Sequence, residues 1–427
     1  MSRRVYSFLV ALLIPAALLR LLWRSRRAPA YRERWRERLA RETKPPAGAD
    51  VWVHAVSVGE VQAALPLLRH LLRRGQRVLV TTTTPTGAAR LRELLGEAVE
   101  HRYTPFDLPG IMRRFLAHVR PRLVLVMETE IWPNMLAACA ERNLPCMLVN
   151  ARLSGRSARG YERVAGFSAE TLRRFACIAA QSPADAERFA ALGVDPARLR
   201  VTGSIKFDVQ PPASLTDRAE VLRRTWGNDR PVWVAASTRD GEEEQVLAAH
   251  AALRAQLPAA LLVLVPRHPE RFERVAALVR RAGFALARHS LGEPCSADTA
   301  VYLGDSMGEL PVFFAAADVA FVGGSLVPTG GHNLLEPAAA GLPVVSGPHT
   351  FNFAEIAGLL HERGALVQVP DAAALAGVLL GWLTDAAERA RVGEQGRGVI
   401  DANRGALGRI TDLVDACLAG DCPPAAI

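Results

Sequence analysis

The sequence predicts an α/β protein, with two doubly wound parallel-sheet halves of similar size behind one apolar helix. Three observations carry this. From Asp50 onward, short apolar runs of β type alternate with longer helical stretches, the pattern of parallel sheets covered by helices. The alternation stops at a proline-rich break over 208–215 (DVQPPASL) and then starts again. Ahead of both halves, residues 5–19 carry no charge. A chain of 427 residues has room for two or three domains. The expected division is an anchor over 1–27, a first domain over 28–207, a linker over 208–215 and a second domain over 216–427.

In the first domain, strands are expected at VWVHAV (51–56), RVLVTT (77–82), RLVLVM (122–127), PCMLVN (145–150) and CIAAQ (177–181). RLRVTGSIKF (198–207) closes that half. The second series is PVWVAAS (231–237), LLVLVP (261–266), AVYLG (300–304), VAFVGG (319–324) and LPVVSG (342–347), ending in helices from Ala372 to about Leu418. Two such halves imply a cleft where strand C-termini face each other, so the residues just after each strand are the ones to inspect.

Composition excludes several classes. Half of the residues are apolar and 22% are charged, which is ordinary for a globular protein and not for a disordered one. Residues 1–44 hold twelve basic side chains against three acidic ones, while the rest of the chain balances at forty of each. The net charge of +9 therefore belongs to the N-terminal segment, and nucleic acid is not an expected partner. Val5 to Trp23 would form about 28 Å of helix against a hydrocarbon core of about 30 Å. A secretory signal fits poorly, because Ala28-Pro29-Ala30 is a weak cleavage site behind four arginines. A membrane anchor is expected instead. The heavier charge follows the apolar run, so the body is expected in the cytoplasm, with Arg24–Lys44 against an anionic membrane surface. The six cysteines show no C-x-x-C and are expected to be reduced thiols. Only Lys44 and Lys206 stand among 50 arginines, which makes Lys206 conspicuous.

Several strand ends carry chemistry. Ser57-Val58-Gly59-Glu60 has the S-x-x-E spacing of a capping box, with Glu60 at N3. A carboxylate beside a glycine at such a turn also suits a catalytic base, and the two roles are compatible. Glu128 and Glu130 share one loop, as an acid/base pair or as a solvated turn. Ser237 and Thr238 offer hydroxyls to a helix cap or to a phosphate. Arg267 stands between Pro266 and Pro269, either in a surface turn or as a guanidinium set for a phosphate. Met307 lies in the turn Gly304–Leu310. The strongest local signal is Gly323-Gly324-Ser325 followed by Gly330, Gly331, Asn333 and Glu336. It reads as glycine-rich backbone suited to a phosphate, with a glutamate able to accept both hydroxyls of a ribose.

These motifs, in this order, resemble the 3-deoxy-D-manno-octulosonic acid (Kdo) transferases of lipopolysaccharide synthesis. The matching stretches are PAYRERW, VWVHAVSVGE, TTTTPTG, YTPFDLP, ETEIWPN, NARLSGRS, VTGSIKFD, LVPRHPERF and GGSLVPTGGHNLLEPAAAGLPVVSGP, which together span Pro29 to Pro348. The resemblance implies a GT-B glycosyltransferase of two Rossmann-like domains, the first binding the acceptor and the second the nucleotide sugar. It implies transfer of Kdo from CMP-Kdo to the lipid A precursor at the cytoplasmic face of the inner membrane, with inversion and without a metal or other cofactor. The absence of a D-x-D acidic motif fits that. By the same resemblance Glu60 is the general base and Glu128 and Glu130 lie on the acceptor side. Arg267, Met307, Asn333 and Glu336 bind CMP with Gly330 and Gly331 near the phosphate, and Ser237, Thr238 and Lys206 face the phosphate or the Kdo carboxylate. Two other functions stay open at this point: a GT-B transferase that uses another nucleotide sugar on a membrane lipid, and a non-catalytic, membrane-anchored nucleotide-sugar binder.

Overall fold

Fourteen strands among the described residues form two seven-stranded sheets in which every pairing is parallel. They are seen in a computed structural model that describes residues 2–26, 29–41, 48–208 and 215–422. The first sheet holds β1 (Val51–His54), β2 (Val78–Thr82), β3 (Glu100–Tyr103), β4 (Leu123–Met127), β5 (Cys146–Ala151), β6 (Cys177–Ala180) and β7 (Leu199–Val201), in the order β3-β2-β1-β4-β5-β6-β7. The second holds β8 (Val232–Thr238), β9 (Leu261–Pro266), β10 (Leu286–Arg288), β11 (Val301–Leu303), β12 (Val319–Val322), β13 (Val344–Ser346) and β14 (Leu366–Gln368), in the order β10-β11-β9-β8-β12-β13-β14.

The central strands are buried along their whole length, because helices cover both faces of each sheet and leave no side to solvent. One face of the first sheet is packed by Trp52, Val124 and Leu148 with Phe115, whose ring meets Trp52 edge-on at 4.8 Å. In each sheet the winding reverses once, between β1 and β4 and between β8 and β12. In open α/β sheets, ligands bind outside the carboxyl ends of the strands at such a reversal.

The chain forms two units, residues 1–208 with 404–427 and residues 209–403. This corrects the expectation that everything from 216 to 427 belongs to the second half. The last helix, Ala406–Ala419, is part of the first unit, where Ile410, Val414 and Cys417 enter the core with Val61, Leu68 and Leu71. Asp208 caps its start by accepting from the backbone N–H groups of Gly405 (2.7 Å) and Leu407 (2.6 Å). Of the expected linker, Asp208 and Leu215 are described and 209–214 lie outside the described residues, as do residues 27 and 28 at the expected end of the anchor. Cys417 and Cys422 form a disulfide, which corrects the expectation that all six cysteines are thiols.

The N-terminal apolar run forms one helix, Arg3–Ser25, with a mean hydropathy of 2.2 over its best window and none of that window buried. Phe8, Leu12, Leu13, Leu19 and Trp23 are exposed. Both of its ends touch the first unit. At the start, Tyr6 donates to Asp107 (3.0 Å), Ser7 to Asn134 (3.1 Å), and Arg3 pairs with Glu141. At the other end, the Arg24 guanidinium lies 5.5 Å from the Tyr31 ring centre.

Candidate active site

Each unit places chemically competent side chains at its own sheet reversal. In the first, Ser57 caps helix Val58–Arg73 and its hydroxyl accepts from the Glu60 N–H at 3.3 Å. The Glu60 carboxylate accepts from the Ser57 hydroxyl (3.0 Å) and from the backbone N–H of Val56 (2.8 Å), one residue before the cap. Val56 is itself held, since Thr83 donates both its N–H (3.1 Å) and its hydroxyl (2.9 Å) to the Val56 carbonyl. Arg38, from the segment after PAYRERW, then donates to the Thr83 carbonyl at 2.9 Å. Thr84 caps the helix that follows β2. The PAYRERW region and TTTTPTG thus converge on the peptide that grips Glu60. Above it, a Cβ on Gly59 would meet nothing nearer than the Ser57 hydroxyl at 3.9 Å, so the approach there is open.

The loop after β4 supplies Glu128 and Glu130. Glu128 holds a left-handed backbone (φ +54°), a strained conformation of the kind that clusters at functional sites, and pairs with Lys206 at 3.0 Å. Glu130 accepts from the Trp132 indole at 2.8 Å. The loop is pinned downstream by buried Asp107 of YTPFDLP, which accepts from the N–H groups of Asn134 (3.0 Å) and Met135 (2.7 Å). Asn150 of NARLSGRS, also left-handed (φ +53°), accepts from the Ile205 N–H at 3.1 Å and so fixes the turn that carries Lys206. Lys206 therefore pairs with a carboxylate of the first unit, where it was expected to face a phosphate or the Kdo carboxylate.

Burial pushes the Glu60 carboxyl up to about 7, and the charges of Glu130 and Glu128 add to this, against the stabilising hydrogen bonds from Val56 and Ser57. Glu130 is raised for the same first reason, with Glu128 adding. A carboxylate near neutrality is matched to proton transfer at physiological pH.

In the second unit, Ser237 takes φ +57° where the register of β8 against β9 shifts between Ala236 and Thr238. That irregularity turns Thr238 inward. It is fully buried and donates its hydroxyl to Glu243 at 2.8 Å, which corrects the expectation that it faces a phosphate. The Gly323-Gly324-Ser325 backbone is also occupied internally. The buried Glu242 carboxylate accepts from the N–H groups of Gly324 (2.7 Å), Ser325 (3.0 Å), Leu326 (2.9 Å) and Arg239 (3.1 Å). Asn333 donates to Glu336 at 2.9 Å and caps Leu335, and burial raises the Glu336 carboxyl against that hydrogen bond and the nearby Arg267 charge. Gly330 and Gly331 are left-handed (φ +96° and +76°), and a Cβ on Gly330 would meet the Phe351 ring at 2.6 Å. Arg267, after β9, and Met307, after β11, are exposed. Among the described residues, no group of three His, Cys, Asp or Glu is placed to hold a metal ion.

Sequence reasoning missed Arg239 and Glu242. Arg239 reaches His332 (Nε to Nε2, 3.2 Å) and His268 (Nη1 to Nε2, 2.5 Å). The acidic run 242–244 reads as helix-dipole complement, and only its position opposite the turn 324–326 marks Glu242 as the acceptor of that turn's N–H groups.

Comparison with known proteins identifies the family and the fold. Residues 33–209 match the family model described as 3-deoxy-D-manno-octulosonic-acid transferase, and residues 284–399 match the glycosyl transferases group 1 model. The chain is 42% identical to the 3-deoxy-D-manno-octulosonic acid transferase of Haemophilus influenzae over 97% of its own length and 98% of that protein's. It is 41% identical to that of Bordetella pertussis, over 97% and 99%. A glycosyltransferase from Rickettsia africae shares the fold at 13% identity, with a TM-score of 0.54 over 87% of this chain and 99% of that one. Two parallel-sheet units of the GT-B type and 41–42% identity to Kdo transferases over 97% of the chain give one conclusion: the chain belongs to the 3-deoxy-D-manno-octulosonic acid transferase family and is a glycosyltransferase.

Proposed function

We propose that the protein transfers Kdo from CMP-Kdo to the lipid A precursor at the cytoplasmic face of the inner membrane, with Glu60 as general base. The observation that carries this is a carboxylate held at a sheet reversal beside an exposed glycine, with its proton affinity raised to about 7. In the reaction, the acceptor hydroxyl oxygen forms a bond to the anomeric carbon and its proton passes to Glu60. The bond from that carbon to the CMP phosphate breaks, and CMP leaves with the electron pair. A phosphate is already a good leaving group, so one carboxylate suffices and the anomeric centre inverts.

In the second unit, Glu336 and Asn333 form a hydrogen-bonded pair suited to ribose hydroxyls, and Arg267 suits the phosphate. Met307, Gly330, Gly331 and Ser237 complete the proposed donor site. Glu128, Glu130 and Lys206 stand beside Glu60 on the acceptor side. Incubating the protein with CMP-Kdo and lipid A precursor in the presence of EDTA tests the reading, with product masses as the readout. Addition of Kdo to the precursor is expected. Consumption of a UDP-sugar instead, or activity abolished by EDTA and restored by Mg²⁺, would refute it. Glu336→Ala is expected to weaken CMP binding by about 1–3 kcal/mol in titration calorimetry, since it removes a charged hydrogen-bonding group.

Helix Arg3–Ser25 is proposed as the membrane anchor, lying in the interface. Both ends touch the first unit, while Phe8, Leu12, Leu13 and Leu19 face outward as an apolar contact for lipid. Of the basic residues expected against an anionic surface, Arg26, Arg32 and Arg36 are exposed and suit it, whereas Arg38 is buried and holds the Thr83 carbonyl. A chain starting at Ala28 should leave sedimenting anionic vesicles and keep its affinity for CMP.

A further inference from the structure

Arg239 has an unusual set of neighbours. Its guanidinium is held by two imidazole nitrogens, His332 Nε2 and His268 Nε2, and no carboxylate among the described residues lies within 4 Å of it. Both imidazoles act as acceptors toward a permanent cation, so both are neutral there. Burial and the charges of Arg239 and Arg267 hold their proton affinity down, that of His332 to about 4. Glu242, whose charge acts on Arg239, has its oxygens taken up by four backbone N–H groups.

The arrangement is built into the backbone. A Cβ on Gly324 would meet the His332 ring at 2.9 Å, so glycine is what admits the imidazole. The Arg267 backbone N–H donates to the Thr238 carbonyl at 3.1 Å, which ties the residue before Arg239 to the backbone that carries the second guanidinium. Arg267 likewise has no ion-pair partner among the described residues. Two guanidiniums and two neutral imidazoles thus come from the segments after β8, β9 and β12. Glu270 lies 4.0 Å from His268 and Glu336 feels the Arg267 charge, but neither guanidinium has an ion pair within 4 Å among the described residues, and an oxyanion would supply one.

We infer that Arg239, oriented by His268 and His332, is a second oxyanion receptor of the donor site, binding the phosphate or the sugar carboxylate of the nucleotide sugar. This rests on the proposed placing of the donor in the second unit. The test compares full-length wild type with Arg239→Gln and Arg239→Lys, all first shown to melt alike. Cytidine and CMP are titrated calorimetrically, and the KM for CMP-Kdo is measured.

If the ligand is the phosphate, Arg239→Gln weakens CMP by roughly 10–100-fold, the worth of a charged hydrogen bond, and leaves cytidine unchanged. If it is the carboxylate, CMP affinity stays at the wild-type value and the KM for CMP-Kdo rises by a similar factor. In either case Arg239→Lys, which keeps the charge without the fork, falls between the two. Wild-type values for CMP and CMP-Kdo in Arg239→Gln overturn the inference and leave the functional reading standing. Failure of wild type itself to bind either ligand overturns both.

Discussion

Glu60→Gln is expected to lower turnover by roughly 10²–10⁴-fold, the usual worth of a positioned base, while CMP binding in the second unit is unchanged. The substitution keeps the local structure. A Gln oxygen still accepts from the Val56 N–H, and its amide can donate to the Ser57 hydroxyl in place of accepting from it. Stability and chemistry therefore separate, and their pH dependences run in opposite senses. The base must be ionised, so wild-type turnover rises as pH increases through about 7. The folded protein binds this proton more tightly than the unfolded chain does. The group therefore favours folding below its unfolded value, and that contribution is lost as pH rises toward about 7. Above that, Glu60→Gln should melt at or above the wild-type temperature, because it no longer buries an ionised carboxylate. Near-normal turnover in a folded Glu60→Gln protein would remove Glu60 from the chemistry and make Glu130 the next carboxylate to test.

Glu242→Ala should destabilise the protein by about 3–5 kcal/mol, read as a shift in the urea or thermal midpoint. Four backbone N–H groups lose their acceptor together, three of them in the Gly324–Leu326 turn. Glu242→Gln keeps one oxygen and should lose part of that. A Glu242→Ala protein that melts like wild type would mean that the turn finds other partners.

The parts of the fold that were legible in the sequence follow from burial. Strands such as LVLVM and LLVLVP lie between other strands and under helices, so every position is apolar and the run is unmistakable. Three strands escaped, and all three are sheet edges: EHRY (β3), LAR (β10) and LVQ (β14). An edge strand is short, faces water along one side and tolerates charge, so it leaves no apolar run to read. In the site, the S-x-x-E spacing announced the contact of Ser57 with Glu60, because capping is a local geometry. That the carboxylate reaches Val56, and that Thr83 and Arg38 steady that peptide, depends on residues brought in from β2 and from the segment ahead of β1. Thr238 was misread for a similar reason. A one-residue irregularity in β8 decides which of two neighbouring hydroxyls faces inward, and no composition signal records it. The glycine-rich backbone at 323–325 was expected to take a phosphate; the N–H groups of Gly324 and Ser325 instead meet the Glu242 carboxylate, while that of Gly323 donates to the Ala236 carbonyl.

The return of the last helix to the first unit sets an order of events during synthesis. The second unit is one uninterrupted stretch, 209–403, and has all of its residues before position 404 is made. The first unit does not. The core cluster that holds Val61, Leu68 and Leu71 of helix Val58–Arg73 is completed by Ile410 and Val414, and these emerge only after the rest of the first unit's first segment and the whole second unit have been made. At a ribosomal rate of about 5–20 residues per second, that side of the core stays incomplete for roughly 15–70 s. The half of the molecule that begins first is thus the half that finishes last, and in that interval a chaperone has the most to cover.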